Sequence, residues 1–288
     1  MSNTALRYAK RHPNDELYTR YCDIEKELAH YSEYFDGAHV YCNCDGQHSM
    51  FVKYFQNNYK KLNLHSAIST CVFPDASVNL IRPDGSVAFR LRGTGAYDSD
   101  ECVRLLHNSD VIVTNPPFSK FRHYLNLLVE CGKQFISTAP LLAVTYKNVF
   151  PLIQQRRIWV GNTDIRTFVN SQGQEKHINA IWLTNIGNPS PKELTLTRSY
   201  YGNEDCYPKY DNYDAIEVSK VANIPLDYGG LMGVPVTFAQ YWNPEHFTLH
   251  SETHYLPDKK LFLNGKEKFE RFIIQNKHPQ ELCSTFAA

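Results

Sequence analysis

His39-Val-Tyr-Cys-Asn-Cys-Asp45 reads as a buried strand that closes on an acid, and the period of the chain changes straight after it. Phe51, Tyr54, Phe55, Asn58, Tyr59 and Leu62 recur at steps of three and four, which places them on one face of a helix. A second apolar strand, Ser66–Phe73, follows. Strand, helix, strand is the unit of a parallel sheet, because parallel neighbours need a long crossover and the helix supplies it. Downstream, Asn79–Arg82 and Val87–Leu91 flank Pro83-Asp84-Gly85-Ser86 and predict a hairpin at the edge of that sheet. Ser99 stands as an N-cap before Asp100-Glu101, opening a helix to about His107. Asp110-Val-Ile-Val-Thr114 is a short apolar strand, and Phe121, Tyr124, Leu125 and Leu128 form a helical stripe that runs to Gly132. Strands are then expected at Gln134–Thr138, Arg157–Val160 and Ile178–Thr184, with a helix at Thr145–Gln154. Upstream, Leu17, Tyr21, Ile24, Leu28, Tyr31 and Phe35 predict one amphipathic helix from Asp15 that Gly37 stops.

With 288 residues, 42% apolar and 21% charged, the composition is that of a globular chain with a sizeable core, and it excludes disordered and collagen-like classes. No stretch reaches the roughly 18 apolar residues of a membrane span, and the N-terminus lacks an apolar signal core, so the expectation is a cytoplasmic protein with no membrane partner. The eight cysteines are irregularly spaced and read as reduced thiols. Cys42-x-Cys44 has no second pair at zinc-finger spacing, so no metal is expected. Residues 37–188 hold 15 basic against 10 acidic side chains, whereas 189–288 hold 10 against 13. A polyanion would therefore meet the middle of the chain first, although such an imbalance also arises by chance. Past Asn188-Pro-Ser-Pro191 the predicted strands shorten and Tyr200, Tyr201, Tyr207, Tyr210 and Tyr213 crowd a turn-rich stretch. That change sets a boundary there, and with the stop at Gly37 it divides the chain into an N-terminal helical segment (1–37), a core with the strand–helix pattern (38–188) and a C-terminal region (189–288).

In open parallel sheets, ligands bind beyond the carboxyl ends of the strands. Two such ends carry polar chemistry here, Asp45 and Asn115-Pro116-Pro117-Phe118. Two prolines lack N–H donors and hold φ near −65°, so this corner is stiff and presents acceptors at fixed positions. The Asn115 side-chain oxygen and the Pro116 carbonyl together can accept both hydrogens of one amino group, and Phe118 offers an aromatic face. Methyl transfer to an exocyclic adenine amine needs this, because the N6 lone pair is delocalised into the ring. Two acceptors that favour a tetrahedral nitrogen draw density onto it and strengthen as positive charge develops. The base must also leave the duplex and stack on an aromatic ring.

The chain resembles the adenine-specific DNA methyltransferases related to the EcoRI modification methylase, over roughly residues 12–275. Asn115-Pro116-Pro117-Phe118 with Ser119 matches the catalytic tetrapeptide of that family. Val40-Tyr41-Cys42-Asn43-Cys44-Asp45 resembles its first cofactor strand, and Asp15-Glu16-Leu17-Tyr18-Thr19 the segment that cradles the methionine end of S-adenosylmethionine. Tyr207-Pro208-Lys209-Tyr210-Asp211-Asn212-Tyr213-Asp214-Ala215-Ile216 resembles its C-terminal part. The resemblance implies a three-layer, Rossmann-like S-adenosylmethionine-dependent methyltransferase fold acting on double-stranded DNA at a specific sequence, with a smaller C-terminal recognition region. It assigns Asn115, Pro116, Pro117 and Phe118 to catalysis, and Tyr18, Thr19, Asp45 and Asn115 to the cofactor. The chain departs from the family at Gly93-Thr94-Gly95-Ala96-Tyr97-Asp98, where an acid usually follows the second glycine to meet the cofactor's adenine amine. Ala96 cannot do so, and Asp98 is the nearest substitute. Plainer roles stay open: Asn115 as a turn former, Phe118 as a core aromatic, Asp45 as a helix cap, Tyr18 and Thr19 as packing and capping residues. So do other activities, namely methylation of RNA or of a protein glutamine through the same corner, or non-catalytic DNA binding.

Overall fold

The parallel core expected from the strand–helix–strand pattern is the centre of a ten-stranded sheet, seen in a computed structural model that describes residues 17–72, 76–170, 172–188 and 190–280. The chain separates into two compact units, residues 1–143 with 157–190, and residues 144–156 with 191–288. The first unit holds β1 (Tyr18–Thr19), β2 (His39–Cys42), β3 (Ser66–Cys71), β4 (Ser77–Arg82), β5 (Gly85–Arg90), β6 (Val111–Thr114), β7 (Gln134–Pro140), β8 (Trp159–Val160), β9 (Ile165–Val169) and β10 (Glu175–Thr184). Their order across the sheet is β1-β9-β10-β7-β6-β2-β3-β4-β5, with β8 beside β10. Only β3, β2, β6 and β7 run parallel. All flanking pairs among the described residues are antiparallel, so the parallel sheet expected from the strand–helix–strand pattern is confined to the centre. β2 has β3 on one side and β6 on the other, so the order of connection reverses there.

Helices α1 (Tyr21–Leu28), α2 (Met50–Asn58), α3 (Asp100–His107) and α4 (Phe121–Glu130) flank this sheet. Side chains alternate along each strand, so Val40 and Cys42 of β2, Val111 and Val113 of β6 and Trp182 of β10 share one core with Ile24 and Leu28 of α1 and Phe51 and Phe55 of α2. Each such fully buried side chain contributes about 1.5–3 kcal/mol. Tyr41 points the other way and bonds Thr70 Oγ1 at 2.7 Å. Cys102 of α3 reaches the same hydroxyl at 3.8 Å, and the Tyr124 hydroxyl of α4 donates to Asn43 Oδ1 at 2.6 Å.

Several expectations need correction. Tyr18 and Thr19 lie on β1, opposite Val169 and Phe168, rather than on a helix. The apolar stripe is broken by Arg20, which is extended (φ −72°, ψ 145°), and by a shift to 3-10 geometry over Ala29–Phe35 with a kink at Tyr31 (φ −124°). Asp15, Glu16 and Phe73 lie outside the described residues. Ser99 has N-cap backbone geometry but its hydroxyl makes no cap bond. The predicted edge hairpin is present as β4–β5, with β4 paired to β3. β9 escaped the sequence pattern, and the helix expected over Thr145–Gln154 is confined to α5 (Phe150–Gln154), which starts next to Pro151 as a residue without an N–H prefers.

The second unit includes α5 and holds β11 (Ile216–Glu217), β12 (Leu231–Pro235), β13 (Phe247–Glu252), β14 (Phe262–Leu263), β15 (Lys266–Glu267) and β16 (Arg271–Asn276). Four of these form a sheet in the order β11-β12-β16-β13, and β14 pairs with β15. The tyrosine-rich stretch organises this unit from within. Tyr207 and Tyr210 are buried, Tyr210 N bonds Ala215 O, and the Asp211 carboxylate accepts from Asn264 N and Gly265 N. Of the stretch, Tyr201 is the strongly exposed ring. No helix among the described residues is long and apolar enough to cross a membrane.

Candidate active site at the strand-order reversal

Asp45 and Asn115 follow β2 and β6, the two adjacent strands between which the order of connection reverses, so topology brings them together without any local signal. Asp45 is 6% exposed. Its Oδ1 accepts from Ser49 Oγ at 2.7 Å. Its Oδ2 accepts from Thr114 Oγ1 at 2.5 Å and from Asn115 N at 3.3 Å. Asp45 therefore does not cap α2 itself. Ser49 is the N-cap, accepting from Phe51 N at 3.1 Å, and Asp45 holds that serine in place. One carboxylate thus ties the end of β2 to the end of β6 and to the start of α2.

The Asn115 side chain is fixed at both ends. Its Nδ2 donates to Leu17 O at 2.6 Å, and its Oδ1 accepts from Thr138 Oγ1. The register explains the second contact. Thr114 lies opposite Ser137 in the parallel β6–β7 pair, so the next residue outward on each strand is Asn115 and Thr138. Pro116 is buried and Pro117 exposed, with Pro117 O accepting from Lys120 N at 2.9 Å. Phe118 is half-buried, and its ring meets Phe168 edge-on at 5.9 Å. Phe168 is the residue opposite Thr19, so the corner meets the Leu17 backbone just before β1 and the β9 partner of β1.

Of the residues singled out from sequence, the structure joins Asp45 and Asn115 by a direct hydrogen bond and sets Tyr18 and Thr19 next to the Asn115-bonded Leu17. Tyr18 is 40% exposed, whereas Thr19 is buried and its Oγ1 has no hydrogen-bond partner. Asn43 Nδ2, two residues before Asp45, is likewise buried without a partner. Ala96 offers only a methyl group, and Asp98 is exposed. Between them Tyr97 is buried, edge-on to Tyr124 at 5.1 Å and bonded to His123 Nδ1 at 3.0 Å. Burial and then the Asp98 charge push the Tyr97 hydroxyl up to about 12, so it stays protonated. Burial, with the charge of Asp45 adding, likewise holds Cys42 as a neutral thiol, unsuited to be a nucleophile. Among the described residues no cluster of histidine, cysteine and acid is arranged to hold a metal. Sequence reasoning missed Thr138, Leu17, Thr114 and Ser49. Leu17 acts through its main chain, which carries no sequence signature, and Thr138 is aligned only by strand register.

Polar groups gathered where the strand order reverses are the arrangement of α/β proteins that hold a ligand beyond the ends of parallel strands. Comparison with known proteins narrows this class. The profile of the family described as adenine-specific methyltransferase EcoRI matches residues 5–89 and 73–278. The type II methyltransferase M.EcoRI of Escherichia coli is 40% identical over 97% of this chain and 98% of its own length. The type II methyltransferase M.MpnI of Mycoplasma pneumoniae is 39% identical over 84% of this chain and 83% of its own, and a type II methyltransferase of Mycoplasma genitalium is 36% identical over 84% of each. No solved structure matches the chain with significance. The chain belongs to the EcoRI family of adenine-specific methyltransferases.

Proposed function

We propose that this chain transfers the methyl group of S-adenosylmethionine to N6 of adenine in double-stranded DNA at a specific sequence, on a three-layer Rossmann-like methyltransferase fold. The observation that carries the reading is the Asn115 corner, a half-exposed amide held rigidly beside Asp45 at the strand-order reversal. The Asn115 Oδ1 and the Pro116 carbonyl accept the two hydrogens of the adenine amine and keep acceptors aimed where positive charge develops. Pro117 keeps the corner stiff, and Phe118 stacks on the extruded base. The base needs no prior deprotonation, because the amine proton is acidified only once the nitrogen is alkylated.

Two orphaned polar atoms support a polar cofactor at this site. Thr19 Oγ1 and Asn43 Nδ2 are buried polar atoms left without partners, which a polar ligand relieves. Tyr18, Thr19 and Asp45 would hold S-adenosylmethionine, with Asn115 between cofactor and base. When bound it supplies an electrophilic methyl on a sulfonium. Residues 1–37 would contribute to this site, 38–188 would form the catalytic core, and 189–288 would read the target sequence.

The test is methylation of DNA by the purified protein with labelled S-adenosylmethionine, the product being digested and resolved into modified nucleosides. N6-methyladenine is expected. Methylated RNA or methylglutamine as the main product would overturn the substrate assignment, and absence of cofactor binding at millimolar concentration would overturn the enzyme reading, for which Ala96 is the sensitive point. Asn115→Ala should lower the methyl-transfer rate by about a hundredfold or more, as loss of a transition-state hydrogen-bonding group does, while leaving cofactor affinity within a few fold.

A further inference from the structure

We propose that Thr138 is a positioning residue for methyl transfer, acting with the Leu17 carbonyl to fix the Asn115 amide so that one oxygen lone pair faces the substrate amine. The inference rests on the role given to Asn115 above. The two ends of an asparagine amide have nearly the same shape and opposite hydrogen-bonding character. Turned over, Asn115 would offer N–H groups to an amine that itself donates, and the corner would repel its substrate. Leu17 decides between the two ends, because its carbonyl can only accept and it takes Nδ2–H at 2.6 Å. A hydroxyl can donate or accept, so Thr138 does not choose the end; fully buried on β7, it donates its proton to the Oδ1 that Leu17 leaves facing it and fixes the plane of the amide.

The three groups form a chain in which Thr138 donates to the amide oxygen and the amide nitrogen donates to Leu17. Such chains polarise in one direction and place charge on the central oxygen. Oδ1 has two lone pairs, of which Thr138 occupies one. The plane set by Thr138 and Leu17 therefore decides where the other points. Thr138 touches neither cofactor nor base in this scheme; it acts through Asn115. The strand register makes it the side chain available for this task, because Thr138 is the β7 residue level with Asn115.

The experiment compares Thr138→Val, Thr138→Ala and Thr138→Ser in the full-length protein, by single-turnover methylation of a cognate duplex with S-adenosylmethionine. Valine removes the donor at nearly constant volume, and the alanine–serine pair differs by the hydroxyl alone. T138V and T138A should lose about tenfold in the methyl-transfer rate, the scale of one lost hydrogen bond. KM for DNA and for cofactor should stay within about twofold, and T138S should recover most of the rate. Wild-type rates in T138V and T138A, a loss that appears in KM, or a serine variant as slow as alanine would each overturn the proposal. Should T138V fail to fold, the alanine–serine comparison decides alone. An inactive N115A beside a fully active T138A would sink the Thr138 role and leave the reading of Asn115 standing, whereas a fully active N115A would sink that reading itself.

Discussion

Glu27 is fully buried, and its carboxylate accepts four hydrogen bonds: Tyr31 OH and Asn162 N at 2.9 Å, Thr163 N at 2.7 Å and Thr163 Oγ1 at 2.6 Å. It is the residue that fastens α1, and with it the β1 strand just before, to the loop after β8. Gly161 is obligatory beside it, since a Cβ there would lie 2.2 Å from Glu27 Oε1 and 2.6 Å from Trp182 Cβ. Glu27→Ala strands two backbone N–H groups and two hydroxyls, and should cost about 2–4 kcal/mol, read as a fall in the denaturant midpoint at unchanged slope. Glu27→Gln, which keeps an acceptor, should lose less. Nothing in the sequence singles out Glu27, because its partners Asn162 and Thr163 lie far along the chain. Asp45 and Asn115 were legible because each ends an apolar strand run, and that signal is local. Thr138 and Leu17 were not, because what selects them is the neighbouring strand.

At the scale of the element, the loop from Gly93 to Asp98 is pinned by Gly95. Its φ is +72°, and a Cβ would sit 2.3 Å from Cys71 O at the end of β3. Gly95→Ala should therefore destabilise the first unit by about 1–3 kcal/mol and weaken S-adenosylmethionine binding, measured by denaturation and by titration; unchanged stability would show that the loop can move away from β3. In the second unit, β11 and β16 are joined by Glu217 and Arg271, with Nε–Oε2 at 3.1 Å and Nη2–Oε1 at 2.8 Å. Tyr210 and Lys268 also bond the Glu217 carboxylate. Burial pushes its proton affinity up, but the bonds from Arg271, Tyr210 and Lys268 outweigh it and leave the carboxyl below the usual range. A depressed folded-state value means that the stabilisation is complete above the ordinary glutamate value, about 4.3, and is lost as pH falls through the lowered one. Stability against denaturant should fall with pH below that value, and Glu217→Gln should flatten this slope while lowering stability at neutral pH. An identical slope in the variant would assign the acid sensitivity elsewhere.

For the molecule as a whole, cofactor binding to the folded chain alone should raise its stability. At about a hundredfold excess over Kd the gain is roughly 2.7 kcal/mol, a shift of several degrees in Tm, and no shift at saturating cofactor would contradict the proposed function. What the sequence by itself determined was the central strand–helix–strand pattern, the edge hairpin, the stiff Asn115-Pro116-Pro117-Phe118 corner and the family. These follow from periodicity, turn chemistry and motif, all written within short windows. Only the tertiary structure decided that Tyr18 and Thr19 form a strand, that antiparallel strands extend both sides of the parallel core, that residues 144–156 belong with the second unit, and that Thr138 and Leu17 grip the asparagine. The physical reason is that these features are pairings between residues far apart in the chain. They are settled by backbone hydrogen bonds and burial across the sheet, and a local pattern of side chains does not encode which distant strand will supply them.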